Sequence, residues 1–312
     1  MSRFAYSDNE KRYHQFSYFL RRRFGGRVAK ISLNAGLSCP NIDGTRGVGG
    51  CSYCSALGSG DFGGDPGQSL LAQFEEGRRR GDTKWKNIGY LAYFQANTNT
   101  HAPVARLREC FEPVLAQEKV LGLAVATRAD CLPPEVLDYL EELSRRTFLL
   151  VELGLQTIHD ETARRINRCH SYQEFLTGYH SLVERGIPVC IHIINGLPGE
   201  SREMMVETAS ELARLGPHSV KIHMLHLLEG TRMAREYQET PFPLLSQEQY
   251  VDLVCDQLEL LPPETVIQRL TGDGDGQKLI APQWTRNKKA VLAAIDRELT
   301  ARNSTQGGKY RK

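Results

Sequence analysis

Residues 120–156 read VLGLAVATRADCLPPEVLDYLEELSRRTFLLVELGLQ, and this stretch indicates the fold. The runs at 120–127 and 148–156 are short and apolar, which is typical of buried strands. Between them, residues 134–145 repeat apolar side chains every three or four positions, which predicts a helix with one buried face. A strand, a helix and a second strand in this order predict two parallel strands joined by a helical crossover.

The same alternation extends from about residue 28 to about residue 230. Further strands are predicted at 28–33, 88–94, 188–197 and 218–228, and further helices near 68–80, 102–117, 171–185 and 202–215. Six strand-then-helix units predict an α/β fold built on a parallel sheet. The pattern changes after residue 230, where helices near 247–261 and 286–300 flank a strand-like stretch, VIQRLTG.

These patterns divide the chain into four expected parts. They are a basic and aromatic segment at 1–27, the β/α core at 28–230, a C-terminal α+β extension at 231–300 and a flexible tail at 301–312. The first part combines basic and aromatic side chains, which suits nucleic-acid binding. An amphipathic helix that closes the bottom of a barrel with its aromatic side explains the same pattern.

The overall composition narrows the class of protein. The 312 residues include 39 Lys and Arg against 37 Asp and Glu, which excludes a globally basic nucleic-acid binder. No run approaches the ~18 apolar residues of a membrane span, and residues 1–20 lack the apolar core of a signal peptide. We therefore expect a cytoplasmic protein, whose crowded cysteines indicate metal or redox chemistry rather than disulfides.

Cys39, Cys51 and Cys54 are the crowded cysteines, and a glycine-rich spacer separates the first two. Three thiolates on a [4Fe–4S] cluster would leave one iron open to a ligand. A zinc ion would need a fourth ligand, and the local candidates for it are Asp43, Asp61 and Asp65. The cysteines alone leave both interpretations open, together with that of a flexible glycine-rich loop.

Polar residues and glycine mark the ends of several predicted strands. They are Asn97 and Thr98 after the second strand, Glu152 and Gln156 in the fourth, and Asn195 and Gly196 in the fifth. Because the carboxyl ends of parallel strands meet at one edge of a sheet, we expect these residues to lie near the cysteines. Each of them taken alone is also explained as a polar cap or a turn.

Together these stretches resemble the YhcC/YtqA-type radical SAM family over residues 28 to about 300. The resemblance is carried by NAGLSCPNIDGTRGVGGCSYC at 34–54, ELGLQTIHDETARRINR at 152–168, HIINGLPGE at 192–200, KIHMLHLLEGT at 221–231 and VIQRLTGDG at 266–274. It implies a partial (β/α)6 TIM-like barrel of the radical SAM type with a C-terminal α+β extension.

The resemblance also implies cofactors and the residues that hold them. A [4Fe–4S] cluster on Cys39, Cys51 and Cys54 would cleave S-adenosylmethionine (SAM) reductively, and the resulting 5′-deoxyadenosyl radical would abstract hydrogen from the substrate. The expected SAM-binding residues are Tyr53, Asn97, Thr98, Glu152, Gln156, Asn195 and Gly196. A reductant such as flavodoxin or ferredoxin would supply the electron.

The substrate is the least determined part of this interpretation. The family is similar to the radical SAM domain of elongator-type enzymes, which favours a tRNA wobble uridine side chain. Alternatives are radical chemistry on a small metabolite or a tetrapyrrole-like molecule, and a non-catalytic zinc or iron–sulfur protein for RNA binding or electron transfer. Candidate residues of the substrate cavity are Lys221, His223, His226, Arg269 and Asp273.

Overall fold

The computed structural model describes residues 4–55, 58, 63–86, 88–272 and 274–311. The strands are β1 Val28–Leu33, β2 Gly89–Phe94, β3 Val120–Thr127, β4 Phe148–Gln156, β5 Val189–Asn195, β6 Ser219–Met224, β7 Leu227–Leu228, β8 Val266–Arg269 and β9 Leu279–Ala281. The helices are α1 Phe16–Phe24, α2 Leu70–Lys84, α3 Val104–Leu115, α4 Pro134–Arg146, α5 Asp160–Arg165, α6 Tyr172–Val183, α7 Arg202–Leu215, α8 Arg232–Glu239, α9 Gln247–Leu260 and α10 Lys288–Ala301. None of the helices in these ranges is both long and apolar enough to cross a membrane.

The main sheet is parallel throughout and has the strand order β1-β2-β3-β4-β5-β6-β8. The α/β fold with a parallel sheet is therefore confirmed, and the first six strands lie side by side in chain order, as expected of successive β/α units. The seventh strand, β8, comes from the region after residue 230 and pairs with β6. The sheet curls into an open half-barrel whose edges are β1 and β8.

The two faces of the sheet bury different side chains, and β4 shows this most clearly. Leu149, Val151, Leu153 and Leu155 point to the outer face and join the large core formed with the surrounding helices. The alternate residues face the inside of the half-barrel. On that inner face the amino end of β4 is apolar and the carboxyl end is polar, so a polar cavity forms at the carboxyl end.

Helix α1 closes the inner face at the amino ends of the strands. Its Phe19 and Phe24 rings lie 6.1 Å and 5.6 Å from the ring of Phe148 in β4. Leu20 is buried in the same apolar cluster. The aromatic side of the N-terminal segment therefore packs inside the protein, while Arg22 and Arg23 remain exposed.

The C-terminal part packs against the beginning of the chain. Gln15 forms a parallel bridge with Ile267 in β8, and the backbone N–H of His14 donates to the side chain of Gln306. Gln306 is buried and donates in turn to two backbone carbonyl oxygens, those of Pro262 and Thr265. The tail that the sequence predicts to be flexible is therefore packed at least around Gln306, because its amide satisfies buried backbone groups.

Candidate active site at the carboxyl ends of the strands

A cavity of about 250 Å³ lies at the carboxyl ends of the strands. Side chains from β2, β4, β5, β6 and β8 line it, together with the loop that carries Cys39, Cys51 and Cys54. The three cysteines, which all lie in the connection between β1 and α2, thus share one cavity with the polar strand ends. This is the edge of a parallel sheet at which binding sites usually form.

The long spacer between the first two cysteines folds back on itself. Asp43 and Val48 form an antiparallel bridge, and the N–H of Gly50 donates to the carbonyl oxygen of Asn41 at 2.8 Å. A Cβ atom at Gly47 would lie 2.5 Å from Asn41 Oδ1 and 2.7 Å from Cys169 Sγ, so any larger residue would displace those two side chains. The spacer is therefore a closed loop that returns the second cysteine to the cavity.

Cys51 is the most buried of the three cysteines and is surrounded by donors. The Asn41 amide lies 3.5 Å from its sulfur, and the Arg168 guanidinium 3.8 Å from it. A hydrogen bond from Cys54 and the charge of Arg168 hold the pKa of Cys51 well below its usual range. Arg168 is itself fixed by a hydrogen bond to the carbonyl oxygen of Gly154. Cys51 is thus prepared as a thiolate, the form that binds metal.

The spacing of the sulfur atoms distinguishes between the possible metal groups. Two sulfurs on one zinc ion, each at ~2.3 Å, lie at most ~4.6 Å apart. In the described residues, the one set of three potential ligand atoms within 4.8 Å of one another is Glu152, Cys190 and His192. The three cysteine sulfurs do not form such a set, so at least one pair of them lies more than 4.8 Å apart in this arrangement, which favours a group larger than one zinc ion.

Two of the three local candidates for a fourth zinc ligand, Asp43 and Asp65, do not line the cavity. Asp43 accepts hydrogen bonds from Thr45 and lies 2.9 Å from the ring of His101. The Asp65 side chain accepts a hydrogen bond from the backbone N–H of Gly67 in the same turn. Neither side chain lines the cavity, and Asp61 lies outside the described residues.

Most of the residues predicted to bind SAM line this cavity. Those that do are Tyr53, Asn97, Thr98, Glu152 and Gln156. Asn97 and Gln156 have φ angles of 59° and 75°, which few residues other than glycine adopt, and such strain often marks functional positions. The Oδ1 atom of Asn97 is buried without a hydrogen-bond partner in the described structure.

Asn195 and Gly196 are not brought to the cavity lining. The Asn195 side chain exchanges two hydrogen bonds, of 2.8 Å and 2.9 Å, with Gln257 in α9. The N–H of Gly196 faces the sulfur of Met205 at 3.1 Å. Ile194 lines the cavity beside them. Their predicted contact with SAM stays a prediction.

Glu152 forms the centre of a buried ionic network on the inner face. Lys30 in β1 and Lys221 in β6 donate to its carboxylate, and the His192 ring nitrogen lies 3.1 Å from it. Lys221 also donates to the Tyr93 hydroxyl at 3.1 Å. Burial alone would raise the pKa of Glu152, but the two ammonium groups hold it well below its usual range. The same cations make this carboxylate unsuited to a metal ion.

The residues predicted for the substrate cavity also lie in its lining. Lys221, His223, His226 and Arg269 all contribute to it, and Asp273 lies outside the described residues. A Cβ atom at Gly272 or Gly274 would lie 2.4 Å or 2.8 Å from the His226 ring. The glycines of the VIQRLTGDG stretch therefore let the loop after β8 approach that ring closely.

Sequence reasoning missed four residues of this site, namely Lys30, Tyr93, Arg168 and His192. All but Arg168 lie on the inner face at alternate positions of apolar strands. A single polar side chain within an otherwise apolar strand is the signal that identifies them, because alternate positions face opposite sides of the sheet. Arg168 follows α5 in a loop and carries no such signal.

Comparison with known proteins extends this description. The sequence model of the Radical SAM superfamily matches residues 42–212, and that of the Radical_SAM C-terminal domain matches residues 217–301. The chain is 54% identical to YtqA of Bacillus subtilis (strain 168) over 304 residues, which are 97% of this chain and 94% of YtqA. It is 34% identical to YhcC of Escherichia coli (strain K12) over 291 residues, which are 93% of each chain.

A solved structure shares the fold. The archaeal Methanocaldococcus infernus Elp3 with an N-terminal deletion superposes with a TM-score of 0.64, at 16% identity, over 87% of this chain and 63% of that chain. From the family matches over most of its length, the chain belongs to the radical SAM superfamily and is a radical SAM enzyme of the YhcC/YtqA type.

Proposed function

We propose that this enzyme holds a [4Fe–4S] cluster on Cys39, Cys51 and Cys54 and binds SAM beside it. The observation that carries the proposal is that the three cysteines share one cavity with the polar ends of the strands, in a chain that belongs to the radical SAM superfamily. When bound, the cluster and SAM would supply a 5′-deoxyadenosyl radical for hydrogen abstraction from the substrate. Three protein thiolates would leave one iron open for SAM.

In this proposal, residues of the chain itself bind and orient the cluster and SAM. Arg168 and Asn41 stabilise the Cys51 thiolate by charge and hydrogen bonding. Asn97 Oδ1 is a buried acceptor without a partner, which suits the amino group of the SAM methionine moiety. Gln156 lies at the carboxyl end of β4, where its amide faces the cavity as a donor and acceptor for the SAM ribose.

A tRNA wobble uridine side chain is the substrate that we favour. The support is the resemblance of the sequence to the radical SAM domain of elongator-type enzymes. A flavodoxin or ferredoxin would serve as the electron donor. The aromatic residues of α1 pack inside the protein, so an RNA ligand would have to contact other surfaces.

The cluster ligands are tested by anaerobic reconstitution of Cys39→Ala, Cys51→Ala and Cys54→Ala. We expect each variant to lose the brown chromophore and most of its iron and sulfide. The matched control is Cys110→Ala, because this cysteine is buried in α3 and does not line the cavity. Full iron and sulfide in any of the three variants, or one bound zinc in the unaltered protein, would contradict the proposal.

Catalysis is tested by incubating the reconstituted enzyme with SAM and dithionite. Formation of 5′-deoxyadenosine distinguishes a radical SAM enzyme from a non-catalytic metalloprotein. Gln156→Ala should keep its iron and sulfide but bind SAM more weakly, since the variant loses a polar contact and no thiolate. Equal SAM affinity in the variant would remove Gln156 from the proposed site.

The substrate is tested by comparing modified nucleosides in bulk tRNA from a deletion strain and its parent. A wobble uridine modification that disappears, and returns with the unaltered gene but not with Cys51→Ala, would support the tRNA assignment. An unchanged nucleoside profile would direct the search to a small metabolite or a tetrapyrrole-like molecule.

A further inference from the structure

The amino ends of β1, β2 and β3 lie side by side at an edge of the sheet that is rich in positive charge. The register shows this, because Val28 pairs with Gly89 and Tyr90 pairs with Val120. Neighbouring strands are ~4.8 Å apart, so the backbones just before β1 and just before β3 are separated by ~10 Å. The segments that lead into the three strands carry six exposed basic side chains, which we call the basic edge: Arg22, Arg23, Arg27, Lys84, Lys86 and Lys119.

The basic edge has little counter-charge. Within residues 22–28, 84–90 and 117–120, the one acidic residue is Glu118. In the described part of the chain, none of the six cations forms an ion pair. On the surface of α3 and α4, by contrast, Arg108 and Arg146 both pair with Glu142. Unpaired cations about one Debye length apart, ~8 Å at physiological ionic strength, add up to a positive surface potential.

Aromatic rings hold three of these cations in place. The Arg27 guanidinium lies 5.1 Å from the centroid of the Trp85 ring, and the Lys84 ammonium lies 4.7 Å from it. The Arg23 guanidinium lies 4.9 Å from the centroid of the Phe148 ring. Such cation–π contacts restrict a side chain without using its N–H groups as hydrogen-bond donors. Among the residues that the structure describes, these N–H groups meet no acceptor, so the three side chains are oriented and still able to donate.

The chemistry of the basic edge favours a nucleic acid over a protein or a membrane. Protein interfaces contain an apolar centre, and membrane-binding surfaces insert apolar side chains into the lipid. A phosphate backbone is bound mainly by positive charge and by N–H donors. None of the large apolar side chains that are exposed in the described structure belongs to the basic edge; they are Tyr6, Ile42, Val48, Leu71 and Val183.

We propose that the basic edge binds the phosphate backbone of an RNA. The inference rests on the proposed function, because it takes the tRNA substrate named there and assigns it a second contact surface. Strand β1 has six residues and therefore spans ~20 Å, which separates the basic edge from the cavity at the carboxyl ends. A folded RNA that is larger than this distance can place one nucleotide at the cavity while its backbone lies on the basic edge. Contacts to phosphate add affinity that does not depend on the nucleotide sequence.

The test is binding of fluorescently labelled bulk tRNA to the anaerobically reconstituted holoenzyme, measured by anisotropy over a series of salt concentrations. The variants are Arg27→Gln and the triple variant Arg23→Gln/Arg27→Gln/Lys84→Gln. Each lost phosphate contact lowers the slope of log affinity against log salt concentration by ~1. We therefore expect the slope to fall by ~1 in the single variant and by ~3 in the triple variant, with weaker binding at low salt in both.

Arg297→Gln is the matched control for the single variant. Arg297 is also exposed, and it lies on α10 in a groove that Glu248, Asp252 and Glu298 help to line. The control removes the same charge from outside the basic edge, so tRNA binding should not change. Absence of tRNA binding, an unchanged slope in the triple variant, or an equal loss in Arg27→Gln and Arg297→Gln overturns the inference.

Vesicles of phosphatidylcholine and phosphatidylserine test the membrane alternative under the same conditions. We expect tRNA to bind to the unaltered protein in preference to these vesicles, because the basic edge exposes no large apolar side chain for insertion. Vesicle binding in place of tRNA binding overturns the inference.

Iron and sulfide content and the formation of 5′-deoxyadenosine without RNA are measured on the same samples. Both should be unchanged in the variants, because none of the substituted residues lines the cavity. Weaker tRNA binding in the triple variant, with an unchanged nucleoside profile in the deletion strain, supports the basic edge and contradicts the tRNA substrate. A lost wobble modification in that strain, with normal tRNA binding by the triple variant, does the reverse. The two proposals can therefore fail independently.

Discussion

Replacing Glu152 with Gln should destabilise the protein far more than replacing a surface carboxylate. The Glu152 side chain is fully buried, and those of its partners Lys221 and Lys30 are only 7% and 18% exposed. The variant keeps the shape of the side chain but leaves two largely buried ammonium groups without a counter-charge. Breaking a buried ion pair on one side costs ~3–5 kcal/mol, which at this chain length lowers the melting temperature by ~5–8 °C.

The measurement is urea unfolding followed by circular dichroism, with all variants prepared identically. Glu142→Gln is the control, because Glu142 pairs with Arg108 and Arg146 on the surface, where an ion pair contributes ~0–1 kcal/mol. Adding Lys221→Met to Glu152→Gln should restore part of the loss, since one unpaired charge is removed. If Glu152→Gln is no less stable than Glu142→Gln, the network does not carry the electrostatic role that we assign to it.

Two further changes test the fold away from the cavity. His218 is partly buried against Phe19, and this desolvation lowers its pKa from 6.5 to about 4. As the pH falls, the His218 side chain takes up a proton in the unfolded chain before it does so in the folded protein. The free energy of unfolding should therefore fall as the pH drops from 6.5 to 4, by up to ~1.4 kcal/mol per pH unit. His218→Phe should flatten this acid dependence of the urea midpoint, and an unchanged slope would contradict the argument. A Cβ atom at Gly178 would lie 2.1 Å from a backbone carbonyl oxygen, so Gly178→Ala should cost ~1–3 kcal/mol by overpacking. Gly26→Ala, where the new methyl group meets nothing within 4 Å, should change the urea midpoint little, and equal midpoints for the two variants would refute the steric reasoning.

The strands were predictable because local sequence determines them. β1, β3 and β4 have the predicted bounds. β3 and β4 are mostly buried and apolar, because both of their faces are covered, whereas β1 is a partly exposed edge strand that carries Lys30. The run at 218–228 contains two strands, β6 and β7, because Leu228 pairs with Leu279 outside the main sheet and does not continue β6. That partner lies on another strand, and the sequence near residue 225 carries no information about it.

The sequence indicated many of the residues of the candidate site, but it could not indicate which way their side chains face. The alternation of Lys221 and His223 shows that they share a face, and the sheet alone decides that the face is the inner one. Asn195 was predicted to contact SAM, but its side-chain amide instead forms hydrogen bonds with Gln257 from α9. Long-range contacts of this kind depend on how α9 packs against the rest of the fold, which no local pattern reveals.

The contacts between the two ends of the chain also bear on its biosynthesis. Arg12 and His14 bind Ser304 and Gln306, which are 292 residues later in the sequence. A ribosome that adds ~5–20 residues per second would need ~15–60 s to make that distance. Throughout this interval the segment around Arg12 and His14 has been synthesised but lacks its final partners. Residues 304–306 therefore have to be synthesised before the segment around Arg12 and His14 can reach its native position.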